Sequence, residues 1–514
     1  MIDPTPGTVY LIGAGPGDPG LITVRGKQLL ESCDAVVYDN LVCPQLIVTL
    51  PETTEVFYVG KRAGNHPVPQ DKINEMLCKL AKEGKNVARL KGSDPLIFGR
   101  GGEEAKYLRE HGIKFEIING VTSGIAGPAY CGIPCTDRER ASSVLFVTGH
   151  KASDKLKTSV PWDWVAQTKN GTVVIYMGVN QIAEIVKQLT EYGMDASLPA
   201  AIVERGTFPS QRVFTTTLSE LPRVAEENKV VPPALFVLGH VVDLQPYLSW
   251  FTDRPLFGLR VMVTRSAQQA GDLYERLRRL GAEPMPYPTI SIDTFEDPRN
   301  WNKVAAIESE KKWIVFTSEN GVRCFFAKLR DHFDDIRRLG GFKIAAIGVG
   351  TAKMLEEYHL KADFVPSKAI VDVLTKEMAE QLDLDGATIV RVRGNLADDI
   401  LEKTLPAHGA EIIPLTVYRT YHPMWPDGLK EKVIEYPPHA ILFTSGSTLE
   451  GLYHNLTEEE AKIVLKDAKI FSIGPKMSVR LKEHNLELTR EAKVHTVEGL
   501  IDELLDYYKD KIKQ

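Results

Sequence analysis

The stretch Val9–Gly20, with the sequence VYLIGAGPGDPG, decides the fold of the amino-terminal half of the chain. Its first four residues form a short apolar run that is typical of a buried strand, and the glycines that follow predict a tight turn. Leu21, Val24, Leu29 and Leu30 then have helical spacing. A strand, a glycine-rich turn and a helix in this order predict an α/β fold with a parallel sheet.

A second predicted strand ends at Asp39, and this spacing is similar to a dinucleotide-binding fingerprint with Asp39 on a ribose. The composition of the first turn argues against that interpretation, because a phosphate site needs backbone N–H groups directed at the anion. Pro16 and Pro19 have no N–H, and Asp18 would place a negative charge beside the phosphates. The turn favours a ligand without phosphates, and an NAD-linked oxidoreductase is the alternative.

Further glycine-rich turns follow predicted strands at Gly92–Glu104, Gly120–Gly124 and Tyr176–Gly178. Each turn alone is typical of a tight connection in an α/β fold. Ligands of open α/β sheets bind outside the carboxyl ends of the strands, where these turns fall. Their accumulation therefore predicts a binding site.

The carboxyl-terminal half contains an internal repeat. Trp313–Ser318 (WIVFTS) recurs as Ala440–Ser445 (AILFTS), and Ile344–Gly348 (IAAIG) recurs as Ile470–Gly474 (IFSIG). The copies are 127 and 126 residues apart, and this near-constant spacing indicates a duplication. Each copy alternates strands with helices, which predicts two similar parallel-sheet α/β domains.

The composition limits the classes of protein that fit. A chain of 514 residues exceeds the roughly 250–300 at which one core stops growing, so several domains are expected. The net charge of −6 and the scattered basic residues argue against nucleic-acid binding, and no apolar run is long enough for a bilayer. The first ten residues lack signal-peptide character, so a cytoplasmic location is expected. The six cysteines include no C-x-x-C pair, and no metal site is expected.

Five long stretches of the amino-terminal half carry a resemblance to a known family: Val9–Gly26, Val36–Val42, Leu90–Glu104, Gly120–Pro134 and Pro199–Arg212. They resemble the uroporphyrinogen-III C-methyltransferases, which are tetrapyrrole methylases. The resemblance implies a unit over residues 1–245 with two α/β lobes, about 1–120 and 121–245, in a homodimer. It also implies that S-adenosylmethionine (SAM) binds between the lobes. The positions that match the family's SAM contacts are Pro16, Gly92, Ser93, Asp94, Ile97, Thr122, Ser123, Met177 and Gly206.

One of these positions departs from the family. Ser93 stands where the family usually has a second glycine, and a positive φ at a serine would be strained.

Asp39 and Lys61 match the acid/base positions of the methyltransferases. Methylation of a porphyrinogen carbon makes a cationic pyrrole that must lose a proton, so a nearby carboxylate fits the chemistry. The alternatives are that Asp39 is a solvated turn residue and that Lys61 is a surface charge. Arg62 and Arg138, together with Arg140, flank the predicted cleft, and arginines can bind the carboxylates of a tetrapyrrole. A solvated, salt-bridged surface is the alternative for these arginines.

The carboxyl-terminal half resembles uroporphyrinogen-III synthase in Phe316–Val322, Val417–Thr420, Phe443–Thr448 and Ile473–Pro475. The resemblance implies a bilobal unit over residues 258–514, with one lobe at about 258–291 plus 424–514 and the other at about 292–420. Residues 246–257 form the linker, and their prolines and aromatic residues predict that the linker packs against the protein.

Within this second resemblance, Tyr418 matches the tyrosine proposed to assist the departure of hydroxide from hydroxymethylbilane. The hydroxyl groups of the two repeated turns would hold substrate carboxylates, and helix N-capping is a role that both turns can also have. These residues are Thr317, Ser318, Thr444 and Ser445.

The sequence thus predicts a bifunctional enzyme of tetrapyrrole biosynthesis with small-molecule tetrapyrrole substrates. The second half would cyclise hydroxymethylbilane to uroporphyrinogen III with inversion of the D ring. The first half would transfer two methyl groups from SAM to C2 and C7, giving precorrin-2 for sirohaem and cobalamin. The alternatives are a methyltransferase fused to a non-catalytic tetrapyrrole-binding module, and the NAD-linked oxidoreductase.

Overall fold

The computed structural model describes residues 5–51, 53–60, 68–149, 160–333, 335–426 and 428–509. It consists of two compact units, Met1–Thr289 with Met424–Gln514, and Ile290–Pro423. Each described sheet has five strands. Three of the described sheets lie in the first unit and one lies in the second. Within the first unit, lobe A denotes residues 5–120, lobe B denotes 121–245, and lobe C denotes 256–289 together with 424–509. The predicted α/β class is confirmed.

Lobe A is built on a fully parallel sheet with the strand order β3-β2-β4-β1-β5. The predicted strand, turn and helix at its start are present, and Thr23 caps the first helix by accepting a hydrogen bond from the Gly26 N–H. The elements are β1 Thr8–Gly13, α1 Val24–Ser32, β2 Ala35–Tyr38, α2 Pro44–Val48, β3 Glu55–Tyr58, α3 Gln70–Lys82, β4 Val87–Lys91, α4 Gly101–Glu110 and β5 Lys114–Ile118. All residues of β2 and β4 are buried, as expected for inner strands with helices on both faces.

Lobe B has a mixed sheet with the order β6-β7-β10-β8-β9, in which only the first pair is parallel. Its core includes the buried Val173, Ile202 and Phe236 on three neighbouring strands. Its elements are α5 Ser123–Tyr130, β6 Ser143–Thr148, α6 Trp162–Ala166, β7 Gly171–Tyr176, α7 Ile182–Glu191, β8 Pro199–Glu204, β9 Arg212–Thr217, α8 Leu221–Glu227, β10 Ala234–Leu238 and α9 Gln245–Leu248.

The linker, residues 246–257, packs against lobe B. The Trp250 indole N–H donates to the Ala129 carbonyl oxygen at 3.2 Å, and Tyr130 contacts the rings of both Trp250 and Phe251. Arg254 places its guanidinium 4.9 Å and 4.8 Å from the centres of those two rings, within the range of a cation–π interaction. The linker therefore has a fixed path along lobe B.

The chain then forms the first part of lobe C and passes into the second unit. The lobe C elements are β11 Arg260–Val263, α10 Gly271–Arg279 and β12 Glu283–Pro286. The second unit has the sheet order β13-β17-β16-β14-β15, parallel except for the pair β13 and β17. Its elements are β13 Ser291–Thr294, α11 Pro298–Ala305, β14 Lys312–Phe316, α12 Glu319–His332, β15 Phe342–Ala346, α13 Val349–Glu356, α14 Val371–Gln381, β16 Thr388–Gly394, α15 Ile400–Thr404 and β17 Glu411–Tyr421.

Lobe C is completed by the last part of the chain, which supplies three strands to a parallel sheet with the order β12-β11-β18-β19-β20. These elements are α16 Leu429–Glu435, β18 Ala440–Phe443, α17 Gly446–Asn455, α18 Glu458–Leu465, β19 Lys469–Ser472, α19 Pro475–Glu483, β20 Arg490–Glu491 and α20 Val497–Tyr508. The repeated sequences of the second half occupy equivalent strands, with WIVF in β14 and AILF in β18.

Candidate functional site

Three turns of lobe A meet backbone to backbone at the carboxyl ends of β1, β4 and β5. A Cβ atom added to Gly120 would lie 2.3 Å from the Ser93 carbonyl oxygen, and one added to Gly13 would lie 2.5 Å from the Gly120 Cα. Both distances are far below van der Waals contact, so these positions require glycine. Gly15 and Ser93 form an isolated bridge with a 2.7 Å hydrogen bond from the Ser93 N–H to the Gly15 carbonyl. The glycine-rich turns therefore form one continuous backbone surface.

Ser93 adopts a left-handed backbone conformation, with φ of +67°. Glycine adopts this conformation without strain, and glycine is the usual residue at this position in the methyltransferases that the chain resembles. The serine hydroxyl makes contacts that a glycine lacks. It accepts a hydrogen bond from the Ser123 N–H at 2.6 Å and lies 3.4 Å from the Thr122 hydroxyl. Ser93 thus joins the turn after β4 to the start of α5.

Thr122 and Ser123 are linked in turn to the end of β7. The hydroxyl groups of Thr122 and Tyr176 share a 2.7 Å hydrogen bond, and the Gly124 N–H donates to the same tyrosine oxygen at 2.7 Å. Met177 follows Tyr176 directly, with φ of +54° and half of its surface exposed. The structure therefore brings Ser93, Thr122, Ser123 and Met177 into one region.

Three of the other matched positions have different surroundings. Ile97 is partly exposed in the turn before α4. Gly206 packs against α5, because a Cβ there would lie 2.7 Å from the Gly127 Cα. Asp94 is buried, and its carboxylate accepts hydrogen bonds from the Leu96 N–H, the Gly120 N–H and the Asn119 side chain at 2.8, 3.1 and 3.1 Å. The Asp94 carboxylate therefore braces the turns after β4 and β5.

A buried charge cluster lies beneath Asp39. Glu104 is fully buried, and its Oε1 atom accepts from Arg89 at 3.2 Å, Lys91 at 2.9 Å and Gln70 at 3.0 Å. Arg89 also donates to Asp39 at 3.3 Å. Burial and the neighbouring Arg89 lower the pKa of Lys91. Burial alone would raise the pKa of Glu104, but the two cations hold that pKa below its ordinary value. The cluster fixes Asp39 through Arg89.

The turns border an open cavity in the first unit. Its empty volume is about 1430 Å³, which includes the solvent-open mouth. Pro16, Gly92, Ser93 and Ser123 line it, together with Asn40, the neighbour of Asp39. Asp18 also lines the cavity; its carboxylate accepts from the Gly20 N–H and the Tyr130 hydroxyl at 2.8 and 2.9 Å.

The structure does not place the remaining predicted residues of the first half at this cavity. Lys61 and Arg62 lie outside the described residues. Arg138 is exposed and is not among the cavity-lining residues that the structure describes. Arg140 pairs with Asp243 at 3.1 Å, as the alternative of a salt-bridged surface predicts. Within the described ranges, no group of three or more His, Cys, Asp or Glu side chains is placed to hold a metal ion.

In the second unit, Tyr418 and Ser318 lie side by side, with their hydroxyl oxygens 3.1 Å apart. Ser318 also caps α12 by accepting from the Gly321 N–H at 2.9 Å, so a capping role and a site contact coexist. The Thr317 hydroxyl donates to the Val392 carbonyl oxygen at 3.3 Å. Burial raises the pKa of Tyr418, and the Ser318 hydroxyl partly offsets this effect. The tyrosine therefore keeps its proton at neutral pH.

Thr444 and Ser445 occupy the equivalent turn of lobe C. Ser445 stands at the N-cap of α17, but its hydroxyl bonds the Ser447 hydroxyl at 2.9 Å and no side-chain cap forms. Its carbonyl oxygen accepts from the Thr448 hydroxyl at 2.6 Å. The two copies of the repeat thus share a backbone turn but use their serine hydroxyls differently.

Two family models match the chain. The model of Tetrapyrrole (Corrin/Porphyrin) Methylases matches residues 8–222, and that of Uroporphyrinogen-III synthase HemD matches residues 271–502. A porphyrin biosynthesis protein HemD from Ruminiclostridium josui is 38% identical over 503 residues, which cover 97% of this chain and 98% of that protein. The chain belongs to this family of tetrapyrrole methylases fused to uroporphyrinogen-III synthases.

Two further relatives match a smaller part of the chain. A uroporphyrinogen-III C-methyltransferase from Bacillus subtilis is 38% identical over 334 residues, or 65% of this chain and 68% of that protein. A siroheme synthase from Nitrosomonas europaea is 46% identical over 253 residues, or 49% of this chain and 52% of that protein. The chain therefore spans about half the length of that siroheme synthase.

No helix among the described residues is long and apolar enough to cross a membrane.

Sequence reasoning did not single out the basic side chains that line the methylase cavity. They come from lobe B, the linker and lobe C, and no common motif or spacing connects them. Their only sequence signal is their charge, which is shared by many surface residues. They are Arg205, Arg254, Arg260, Arg278 and Lys432.

Replacing Glu104 tests the buried charge cluster of the methylase. We expect Glu104→Gln to lower the free energy of unfolding by about 3–5 kcal/mol, because it removes the buried counter-charge of Lys91 and leaves Arg89 paired only with the partly buried Asp39 among the described residues. Urea unfolding of the full chain, followed by circular dichroism, measures the change. The matched control is Glu103→Gln, which removes an exposed ion pair with Arg100 and should change stability by no more than about 1 kcal/mol.

The same cluster predicts the pH dependence. Because folding lowers the Glu104 pKa, its stabilisation is present above the unfolded-state pKa of about 4.3 and is lost as the pH falls through the folded-state pKa. The stability difference between wild type and Glu104→Gln should therefore shrink in acid. A stability difference between the two proteins that stays constant to a pH well below about 4 would contradict the lowered pKa of Glu104.

Two substitutions at Ser93 separate its strain from its hydrogen bond. Ser93→Ala removes the contact with the Ser123 N–H and keeps the left-handed strain, so we expect a loss of about 1 kcal/mol. Ser93→Gly removes both, and it should be more stable than Ser93→Ala by about 1 kcal/mol. Thermal unfolding ranks the variants. An alanine variant at least as stable as the glycine variant would show that the backbone at this position is not strained.

Proposed function

We propose that the chain makes uroporphyrinogen III and then methylates it. The synthase half cyclises hydroxymethylbilane with inversion of the D ring. The methylase half transfers methyl groups from SAM to C2 and C7, and the product precorrin-2 serves sirohaem and cobalamin formation. The observation that carries the proposal is the presence of both family matches, in order, on one chain with a relative of the same length.

The turn after β1 favours SAM over a dinucleotide. Pro16 and Pro19 offer no N–H to a phosphate, and the Asp18 carboxylate lines the same cavity. The crowded backbones of the turns after β1, β4 and β5 form a surface that a flat, uncharged group such as adenine can approach closely. SAM, when bound, supplies an activated methyl group. Of the nine proposed SAM contacts, Pro16, Gly92, Ser93 and Ser123 line the cavity.

Asp39 is the proposed base of the methylase. Its position at the end of β2 is held by Arg89 and by the Leu41 N–H, which donates to the Asp39 carboxylate at 3.1 Å. A carboxylate with a fixed orientation can accept the proton that the methylated pyrrole must lose. Lys61 is proposed as its acid/base partner and Arg62 and Arg138 as substrate contacts, from the resemblance alone.

Tyr418 is the proposed proton donor of the synthase. Its burial keeps the phenol protonated, and a proton on this oxygen can stabilise the departing hydroxide. The Ser318 hydroxyl fixes the phenol's orientation. Thr317, Ser318, Thr444 and Ser445 are proposed to hold substrate carboxylates. A homodimer through the methylase half and a cytoplasmic location stay predictions.

The direct test supplies the purified chain with hydroxymethylbilane and SAM without oxygen, followed by oxidation and identification of the products by chromatography and mass spectrometry. We expect a dimethylated type-III product. Unmethylated type-III product would reject the methylation and retain the synthase. Type-I product alone would reject ring inversion and leave the carboxyl-terminal half as a binding module.

A crossed pair of variants assigns the two chemistries to the two halves. Asp39→Asn should slow methylation of supplied uroporphyrinogen III by about 100-fold, the lower range for acid–base catalysis, and leave the synthase rate unchanged. Tyr418→Phe should slow cyclisation about tenfold, equivalent to about 1.4 kcal/mol, and leave methylation unchanged. Each variant is the control for the other. If both variants lowered both rates equally, a structural effect would replace the catalytic assignments.

A further inference from the structure

The wall of the methylase cavity is not made by the methylase alone. Lobe C contributes the strand β12 and the side chains of Arg260, Arg278, Lys432 and Tyr436, and the linker contributes Arg254. These residues follow the region that matches the methylase family, residues 8–222. Lobe C therefore forms part of the wall of the same cavity that the methylase turns line.

Direct hydrogen bonds attach this wall to lobe A. The Arg278 guanidinium donates to the Gln45 side-chain oxygen at 2.5 Å. The Lys432 ammonium group donates to the Asn40 and Val42 carbonyl oxygens at 3.1 and 3.5 Å. Asn40 directly follows Asp39, so a lysine of the synthase lobe contacts the turn that carries the proposed methylase base.

The charge of the cavity is opposite to that of the whole chain. Among the residues that the structure describes, five cationic side chains line it against two carboxylates, those of Asp18 and Glu283, although the formal net charge of the chain is −6. Three of the cations belong to lobe C and one to the linker. A concave surface with one sign of charge attracts ligands of the opposite sign.

Most of these cations lack a carboxylate partner. In the part of the chain that the structure describes, no carboxylate lies within ion-pair distance of Arg254, Arg260 or Lys432, and the Arg278 Nε atom is buried without a hydrogen-bond partner. Among those residues, the Arg260 guanidinium donates only to the Pro437 carbonyl oxygen, at 2.9 Å. Burial, the largest effect, lowers the pKa of both Arg260 and Lys432. Unpaired cations at a partly buried surface are stabilised when an anion binds.

We propose that Arg254, Arg260 and Arg278 bind carboxylate groups of the tetrapyrrole during methylation, so that the synthase lobe forms part of the methyltransferase's substrate site. This inference rests on the proposed function, because it takes the methyl acceptor to be a polycarboxylate. Guanidinium groups bind carboxylates through paired, charge-assisted hydrogen bonds. The methyl donor also has a carboxylate, so the test must distinguish the two ligands.

Adjacent arginines of α10 offer a matched pair of variants. Arg278 and Arg279 both pair with Glu275, at 2.8 and 2.9 Å, but Arg278 lines the cavity while the Arg279 side chain is 77% exposed. We expect Arg278→Gln, in the full chain, to raise the KM for supplied uroporphyrinogen III about tenfold, the effect of losing one strong charge-assisted contact. The KM for SAM and the rate of hydroxymethylbilane cyclisation should stay within twofold. Arg279→Gln should change none of these values.

Arg254→Gln is the second variant, because Arg278 also contacts Gln45 and its loss could loosen the wall. Arg254 donates to the Arg278 carbonyl oxygen at 2.8 Å and has no described hydrogen bond to lobe A, so Arg254→Gln removes a cavity cation and retains the Arg278 side chain that bonds Gln45. Thermal unfolding checks that both variants are folded.

Three outcomes would overturn the inference: unchanged KM values in both cavity variants, a rise in the KM for SAM alone, or equal effects of Arg278→Gln and Arg279→Gln. Failure of the proposed function gives a different result, since the wild-type chain would then methylate no uroporphyrinogen III.

Discussion

The carbonyl oxygen of Ser93 lies so close to the backbones of Gly13 and Gly120 that neither glycine can carry a side chain. This contact sets the carboxyl ends of β1, β4 and β5 at one level, and β2, which Asp39 directly follows, pairs with β4 in the same sheet. The hydroxyl contacts of Ser93, Thr122 and Tyr176 then join this edge to lobe B. The cavity, the proposed cofactor surface and the proposed base all depend on this close approach of the turns.

Much of this arrangement could be predicted from the sequence because it is local. The strand, turn and helix at Val9–Leu30 and the repeated FTS turns are short patterns whose residue types determine their conformation. The strain at Ser93 was also predictable, because a glycine is expected there and the observed φ is +67°. Asp94 shows the limit of the motif. Its carboxylate braces two turns, a role that the residue sequence GSDP does not reveal.

Features that depend on distant parts of the chain were not predictable. The Glu104 cluster places two cations inside β4, where a sequence pattern suggests alternating exposure. The antiparallel strands of lobe B follow from pairing between segments up to 65 residues apart, as for Leu238 with Val173. The basic wall of the cavity combines residues from lobe B, the linker and lobe C, so only the folded chain brings them together. The duplication likewise predicts two similar turns but not that Ser318 caps its helix while Ser445 bonds Ser447.

The packed linker has a consequence for how the methylase cavity works in dilute solution. Trp250 and Phe251 are held against Tyr130, and Arg254 lies over both rings. Lobe C is therefore delivered to the cavity by a short, ordered covalent connection rather than by an encounter between two proteins. Two separate proteins with ordinary affinity would come apart as their concentration fell. A cell that makes only a few copies of this chain still provides every methylase cavity with its basic wall.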